Sequence, residues 1–165
     1  MEQNERQKAF TAHIQQHQAL IFKVCHLYCN NDEDKRDLFQ EIVFQLWKSY
    51  PSFRGEAKFT TWLYRIALNT AITSIRKNKL NRLTAYVDDW PWQFTEGDRT
   101  QEIREQAELL NKAIAHLSDI EKSIVMLYLE ERSYQEMEEI LGINQNSLRV
   151  KMNRIKEKLK TKVWT

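Results

Sequence analysis

Apolar residues recur along most of the chain at intervals of three and four, the spacing that puts them on one face of an α-helix. The clearest series are Ile14, Ile21, Val24 and Tyr28; Leu38, Ile42, Val43, Leu46 and Trp47; Ile103, Leu110, Ile114 and Leu117; and Leu148, Met152, Ile155 and Leu159. The alternation of apolar and polar residues that marks β-strands does not occur. Asn31 and Asp32 have the residue types of a turn and a helix N-cap. The pattern predicts an all-α protein of about six or seven helices.

The segment 87–98 interrupts this pattern, because it is acidic and contains Pro91 and Gly97. A structureless loop of this length is unusual inside a compact domain. We therefore interpret the segment as a flexible acidic linker between two small helical domains, and the alternative is a long loop within one domain. The predicted ranges are 1–84 for the N-terminal domain, 85–106 for the linker and 107–165 for the C-terminal domain.

Composition and cysteine content exclude several classes of protein. The 165 residues are 42% hydrophobic and 29% charged, which is typical of a globular protein with a buried core. No apolar run suits a signal sequence or a membrane span, so we expect a cytoplasmic protein that does not insert into membranes.

The only cysteines, Cys25 and Cys29, lie four apart in a helical pattern, which favours reduced thiols over a disulfide. Together with His13 and His17 they hint at zinc, but helical spacing spreads the four side chains too widely around one helix. We predict no metal, no cofactor and no catalytic site.

The net charge of +2 conceals a strong segregation of charge. Residues 57–87 contain six basic residues and no acidic one, and residues 145–162 contain seven basic residues and one acidic one. Residues 88–108 and 119–139 each contain seven acidic and two basic residues. One basic segment falls in each predicted domain, which suggests that the protein contacts a polyanion at two places.

The C-terminal basic segment fits a helix-turn-helix. Residues 133–141 predict a short amphipathic helix, Gly142 can supply a left-handed turn, and Asn144 can cap a second helix over residues 145–160. Hydrogen-bond donors near the start of the second helix suit a helix that lies in the major groove of DNA. Two packed helices with basic ends would look similar, and this alternative stays open.

The N-terminal basic segment predicts a helix over residues 59–79 with a charged stripe. One side carries Lys58, Arg65, Asn69, Ile72 and Arg76, and the opposite side, which we expect to face the core, carries Leu63, Ala67, Leu68, Ala71 and Ile75. Trp62 lies at the border between the two. Cations beside an exposed aromatic ring suit single-stranded DNA, whose bases stack on such rings. The alternative, that Trp62 belongs to the core, stays open. Phe53, Arg54, Gly55 and Phe59 can shape a loop that accepts a flipped base.

Two stretches of the chain resemble the extracytoplasmic-function (ECF) sigma factors. The first consists of residues 37–41 (DLFQE), Phe44 and Trp47, residues 52–56 (SFRGE), and residues 59–67 (FTTWLYRIA) with Asn69; it is similar to the second conserved region of that family. The second runs from residues 117–118 (LS) through residues 133–136 (SYQE) to Gly142, Ser147 and Arg154, and is similar to the fourth region. The likeness extends over about residues 10–160 in the order and spacing of the family.

The resemblance implies a bacterial transcription initiation factor that binds core RNA polymerase, recognises promoter DNA and assists strand opening, with no enzymatic activity. The residues implied to bind polymerase, at the clamp helices of its largest subunit, are Asp37, Gln40, Glu41, Phe44 and Trp47. The flap of the polymerase is a second implied contact, to which no residues are assigned. Those implied to capture the non-template strand of the minus-ten element are Arg54, Lys58, Phe59, Trp62, Arg65, Asn69 and Arg76. Those implied to read the duplex minus-thirty-five element are Gln145, Asn146, Ser147, Arg149, Val150, Asn153 and Arg154. The family also commonly binds anti-sigma factors, although no feature of this sequence indicates one.

The sequence departs from the family at a few positions. Glu138 stands where alanine is usual between the two helices of the turn, so we expect either a rotated helix or a carboxylate that reaches solvent. Ser147 and Leu148 stand where threonine and valine are usual. Two other functions compete with the leading one: a stand-alone helix-turn-helix regulator that binds duplex DNA without polymerase, and a helical adaptor whose partner is another protein.

Overall fold

A computed structural model of the chain describes residues 2–55, 58–77 and 101–164, and every regular element in these ranges is helical. The chain divides into two compact units, Met1–Leu83 and Thr84–Thr165. The predicted all-α class and two-domain organisation are confirmed. Most of the predicted linker lies outside the described residues, and the chain is already helical at Gln101, inside the range predicted as linker. No helix in the described ranges is both long and apolar enough to cross a membrane.

The N-terminal unit is built from three helices: α1 (Glu2–Tyr28), α2 (Asp32–Ser49) and α3 (Phe59–Lys77), with a 3-10 turn at Tyr50–Ser52. Helix α2 begins where the sequence predicts, because the Asn31 side chain accepts a hydrogen bond from the backbone N–H of Asp34 at 2.7 Å. Each helix packs against the other two. The shared core includes Ile21, Val24, Ile42, Leu46, Leu63, Tyr64, Ala67 and Ala71, all fully buried.

The C-terminal unit contains four helices: α4 (Gln101–Ala115), α5 (Asp119–Leu129), α6 (Tyr134–Leu141) and α7 (Gln145–Trp164). Helix α5 begins at a capping box, in which Ser118 and Glu121 each accept a hydrogen bond from the other's backbone N–H. Helices α4, α5 and α6 all pack against α7. The core that they enclose includes Ile114, Ile124, Met126, Leu127, Met137, Leu148 and Ile155.

The turn between α6 and α7 has the geometry that the sequence predicts. Gly142 adopts the left-handed conformation (φ 72°, ψ 18°), and its N–H donates to the carbonyl of Glu138 at 2.8 Å. The Asn144 side chain then accepts a hydrogen bond from the backbone N–H of Ser147 at 2.8 Å, which caps α7. The predicted helix-turn-helix is therefore present.

Candidate nucleic-acid and protein-binding surfaces

The charged stripe of α3 lies on the surface of the N-terminal unit. Arg65, Asn69 and Arg76 are exposed, as is Lys58 just before the helix. The opposite side of α3 is buried in the core, as predicted. Ile72 differs from the expectation, because it is only 8% exposed and interrupts the stripe. Helix α3 packs against both α1 and α2, so its buried arc is wider than one face, and the polar surface is correspondingly narrower.

Trp62 belongs to an aromatic cluster that we define as Tyr50, Phe53, Phe59 and Trp62. Its ring centroid lies 5.1 Å from that of Phe53, 5.4 Å from Phe59 and 6.2 Å from Tyr50. All four side chains are half-buried. Trp62 is therefore neither wholly a core residue nor a fully exposed platform. Its ring packs against its neighbours and still presents part of its surface to solvent, next to the charged stripe.

The sequence did not reveal that two histidines of α1 support this cluster. The His13 ring stacks on Phe59 with 4.4 Å between centroids and 22° between planes, and His17 lies 4.9 Å from Phe59. The two histidines had suggested a metal site with Cys25 and Cys29, which are both buried. Burial raises the pKa of the Cys25 thiol to about 12, so it is protonated at neutral pH. The described residues contain no group of three potential ligands that could hold a metal ion.

The residues implied to bind polymerase lie along the outer side of α2. Asp37, Gln40 and Glu41 are exposed, Phe44 is 57% exposed and Trp47 is half-buried. They border two different grooves. Asp37 and Glu41 line a polar groove of about 550 Å³ between α2 and α3, whereas Gln40, Phe44 and Trp47 line a more apolar groove of about 580 Å³ between α1 and α2.

Aromatic residues missed by the sequence reasoning extend the apolar groove along α1. Phe10 packs on Trp47 with ring centroids 5.0 Å apart. At the other end of the helix pair, Phe22 stacks on Phe39 at 4.6 Å and is 44% exposed. Phe10 itself is buried, so the exposed aromatic surface consists of Phe22 and Phe44 with the half-buried Phe39 and Trp47. Exposed aromatic surface on a small helical unit is typical of a protein-binding surface.

The first half of α7 carries the candidate residues for duplex DNA. Asn146, Arg149, Val150, Asn153 and Arg154 are exposed, and Gln145 and Ser147 are half-buried. The Arg149 guanidinium is held in place, because it donates a hydrogen bond to the Asn146 side chain at 3.2 Å and lies 5.1 Å from the centre of the Tyr134 ring. Tyr134 was part of the motif at residues 133–136, but its contact with Arg149 was not predicted from the sequence.

Glu138 is half-buried between α6 and α7, and its carboxylate accepts a hydrogen bond from the backbone N–H of Gln145 at 3.1 Å. Met137 and Ile140, on the same helix, remain buried. The departure from alanine is therefore accommodated by a contact that was not among the two expectations: the carboxylate turns toward the first amide of α7.

Comparison with known proteins identifies the family. Two sigma-70 family models match the chain, region 2 over residues 13–80 and region 4 over residues 107–159. The ECF RNA polymerase sigma factor SigW of Bacillus subtilis is 28% identical over an alignment of 169 positions, which covers 93% of this chain and 88% of SigW. The chain belongs to the ECF sigma factors. Regions 2 and 4 of this sigma factor fall in its N-terminal and C-terminal units, respectively.

Two further comparisons extend the relationship. The sigma factor is 35% identical to ECF RNA polymerase sigma factor SigG of Mycobacterium tuberculosis over 72 residues, which are 44% of this chain and only 20% of SigG. A solved structure of the sigma factor RpoE in complex with the anti-sigma factor NepR from Bartonella quintana shares the fold, with a TM-score of 0.74 and 17% identity over 93% of this chain and 96% of that one.

Proposed function

We propose that this sigma factor acts in the cytoplasm as a non-catalytic transcription initiation factor that binds core RNA polymerase, recognises a promoter and helps to open it. The observation that carries the proposal is the exposed charged stripe of α3 beside a half-buried aromatic cluster, within the segment that matches region 2. Region 4 supplies a second DNA-binding surface on α7. In this proposal residues 1–84 form the domain that captures the single strand, residues 107–165 form the domain that binds duplex DNA, and residues 85–106 link the two.

Strand capture is assigned to the N-terminal unit. Single-stranded DNA needs cations for its phosphates and flat apolar rings for its unstacked bases. Lys58, Arg65 and Arg76 offer the first, Asn69 adds a hydrogen-bonding group, and Trp62 offers the second. Arg54 and Phe59, on either side of the loop before α3, complete the proposed site. Each base stacked on an aromatic ring contributes about 1–3 kcal/mol, which offsets the few kcal/mol that unstacking costs.

Recognition of the duplex minus-thirty-five element is assigned to the start of α7. A helix in the major groove reads base edges with side chains near its N-terminus and contacts phosphates with more distant cations. Gln145 and Asn146 suit adenine, Arg149 suits guanine, and the methyl groups of Val150 suit the thymine methyl. The proposed site is completed by Ser147, Asn153 and Arg154.

Binding to core polymerase is assigned to the outer side of α2. The apolar groove lined by Gln40, Phe44 and Trp47 supports a helical partner such as the clamp helices of the largest subunit. Asp37 and Glu41 add negative charge along the neighbouring polar groove between α2 and α3. The C-terminal unit is proposed to meet the flap. The RpoE structure contains an anti-sigma factor, and we include a protein of this kind among the proposed partners.

The test reconstitutes the full-length chain with purified core RNA polymerase. We expect the two to co-elute, and we expect the complex to start transcripts at defined sites on a library of genomic fragments. A triple substitution of Arg65, Asn69 and Arg76 by alanine should abolish specific transcripts while co-elution persists. Lys8→Ala, an exposed cation on α1, is the matched control and should leave both intact. A duplex footprint without polymerase would favour the stand-alone regulator, and failure of both assays would favour the adaptor.

A further inference from the structure

The N-terminus of α7 is bound by side chains from two different parts of the C-terminal unit. A helix leaves its first four backbone N–H groups without partners inside the helix. In α7, the N–H of Ser147 donates to Asn144 in the turn, at 2.8 Å, and the N–H of Gln145 donates to Glu138 of α6, at 3.1 Å. The first contact is an ordinary cap. The second, from Gln145 to Glu138, links α7 to α6 across the turn.

The contact with Glu138 has two physical consequences. The hydrogen bond joins residues seven apart in sequence and fixes the direction in which α7 leaves the turn. The carboxylate also puts a negative charge at the end of α7 where the aligned peptide dipoles create a partial positive charge. That positive end otherwise attracts phosphate, so the carboxylate opposes the attraction of this end of α7 for the DNA backbone.

We propose that Glu138 is a positioning and specificity-determining residue of the helix-turn-helix. Its hydrogen bond fixes α7 in the pose from which Asn146 and Arg149 read the upstream element, and its charge weakens the sequence-independent attraction of α7 for phosphate. The inference rests on the proposed function of α7 in duplex recognition. It assigns to Glu138 a role that alanine at the same position could not fulfil, because alanine supplies neither the hydrogen bond nor the charge.

Two substitutions separate the two effects. In Glu138→Gln the amide oxygen can still accept the hydrogen bond from Gln145, but the charge is lost. In Glu138→Ala both are lost. Glu139→Gln is the matched control, because it removes an exposed carboxylate from the adjacent position of the same helix. Each variant is tested in the full-length chain bound to core RNA polymerase, so that the DNA affinity measured is that of the complete complex.

The probes are a duplex selected from a random-sequence library by the wild-type complex, a mutated version of its upstream element, and poly(dI-dC). We expect Glu138→Gln to bind all three roughly two- to fivefold more tightly at low salt, the usual effect of a charge at a helix terminus. The gain should shrink as salt screens the charge, and discrimination between selected and mutated duplex should persist. Glu138→Ala should also bind more tightly but discriminate less well than Glu138→Gln between selected and mutated duplex, because α7 loses its hydrogen bond to α6.

Three results would overturn the proposal: unchanged affinity in Glu138→Gln, an equal gain in Glu139→Gln, or full discrimination in Glu138→Ala. Circular dichroism and urea denaturation of each variant verify that α7 is folded during the measurement. The wild-type complex separates this inference from the proposed function. If it selects no sequence from the library, duplex recognition itself is wrong, whereas selection by the wild type with unchanged behaviour of both Glu138 variants refutes only the role of Glu138.

Discussion

Replacement of Trp62 by alanine separates the packing role of its ring from its proposed role as a platform for a DNA base. Truncation of a fully buried aromatic residue costs about 3–5 kcal/mol of folding free energy. Trp62 is half-buried and contacts three other rings of the aromatic cluster, so we expect the N-terminal unit to lose about 2 kcal/mol. Such a loss leaves an ordinary domain mostly folded at 25 °C.

The effect on promoter opening should be much larger than the effect on the folded fraction. A base stacked on an aromatic ring contributes roughly 1–3 kcal/mol, and each 1.4 kcal/mol changes an equilibrium tenfold. We therefore expect Trp62→Ala to reduce the equilibrium constant for conversion of the closed to the open complex by about 5- to 150-fold. Initial binding to the closed promoter should change little, because the duplex does not yet present an unstacked base.

Permanganate reactivity of thymines measures the open population, and anisotropy of a labelled promoter at low temperature measures closed binding. Trp62→Phe is the first control and should recover most of the opening, since it keeps an aromatic face. Leu63→Ala is the second, because it removes a fully buried neighbour and destabilises the unit at least as much without exposing a ring. If Leu63→Ala impairs opening as strongly as Trp62→Ala, or if closed binding falls in parallel, the stacking role is refuted.

Four further predictions concern other surfaces of the molecule. Phe44→Ser should weaken binding to core polymerase roughly tenfold in a competition assay with unchanged thermal stability, since the ring is 57% exposed; a loss of stability instead would mean a packing role. Arg149→Ala should weaken binding to the upstream element and reduce the slope of log affinity against log salt by about one; an unchanged slope would exclude a phosphate contact. Gly142→Ala should lower the free energy of unfolding, measured with urea, by about 1–2 kcal/mol, because alanine disfavours a positive φ. A Cβ at this position meets no atom within 4 Å, so no clash contributes. Gly142→Asn should lower it less, because asparagine tolerates a positive φ; equal losses would indicate a clash. Burial raises the pKa of Glu121, but hydrogen bonds from Lys158 and the helix cap outweigh it, so the pKa is lowered from its ordinary value of 4.5. The ionised Glu121 therefore stabilises the folded state above pH 4.5, and this stabilisation is lost as pH falls through the lowered pKa. Lys158→Met should flatten that acid dependence, and an unchanged pH profile would contradict it.

Local features of the fold follow from the sequence because they depend on neighbouring residues. The N-caps at Asn31 and Asn144 and the left-handed turn at Gly142 lie where residue type alone puts them. Helical periodicity likewise identifies the core side of α3. It misassigns Ile72, because a 100° step defines the position of a residue around the helix but not the width of the arc that two packing helices cover.

Contacts between distant segments could not be derived in this way. The stack of His13 on Phe59 and the pairing of Phe22 with Phe39 join residues of different helices. Spacing within one helix carries no information about either partner, and it suggested a metal site for His13 instead. Glu138 is a similar case. The resemblance to the family put it between the two helices of the turn, but whether its carboxylate contacts solvent or the Gln145 amide depends on how α6 and α7 cross.

The two candidate DNA surfaces share a physical feature that bears on how they bind. The Trp62 ring packs against the other rings of its cluster, and the exposed Arg149 contacts Asn146 and Tyr134. Ordering a mobile side chain at an interface costs about 0.5–1.5 kcal/mol. Packing within the cluster orders the Trp62 ring on folding, so most of this cost does not reduce its binding free energy. The contacts of the exposed Arg149 lower the cost only in part. A fully exposed tryptophan would lack that advantage and a fully buried one could not reach a base, so the half-buried position of Trp62 suits the proposed stacking role.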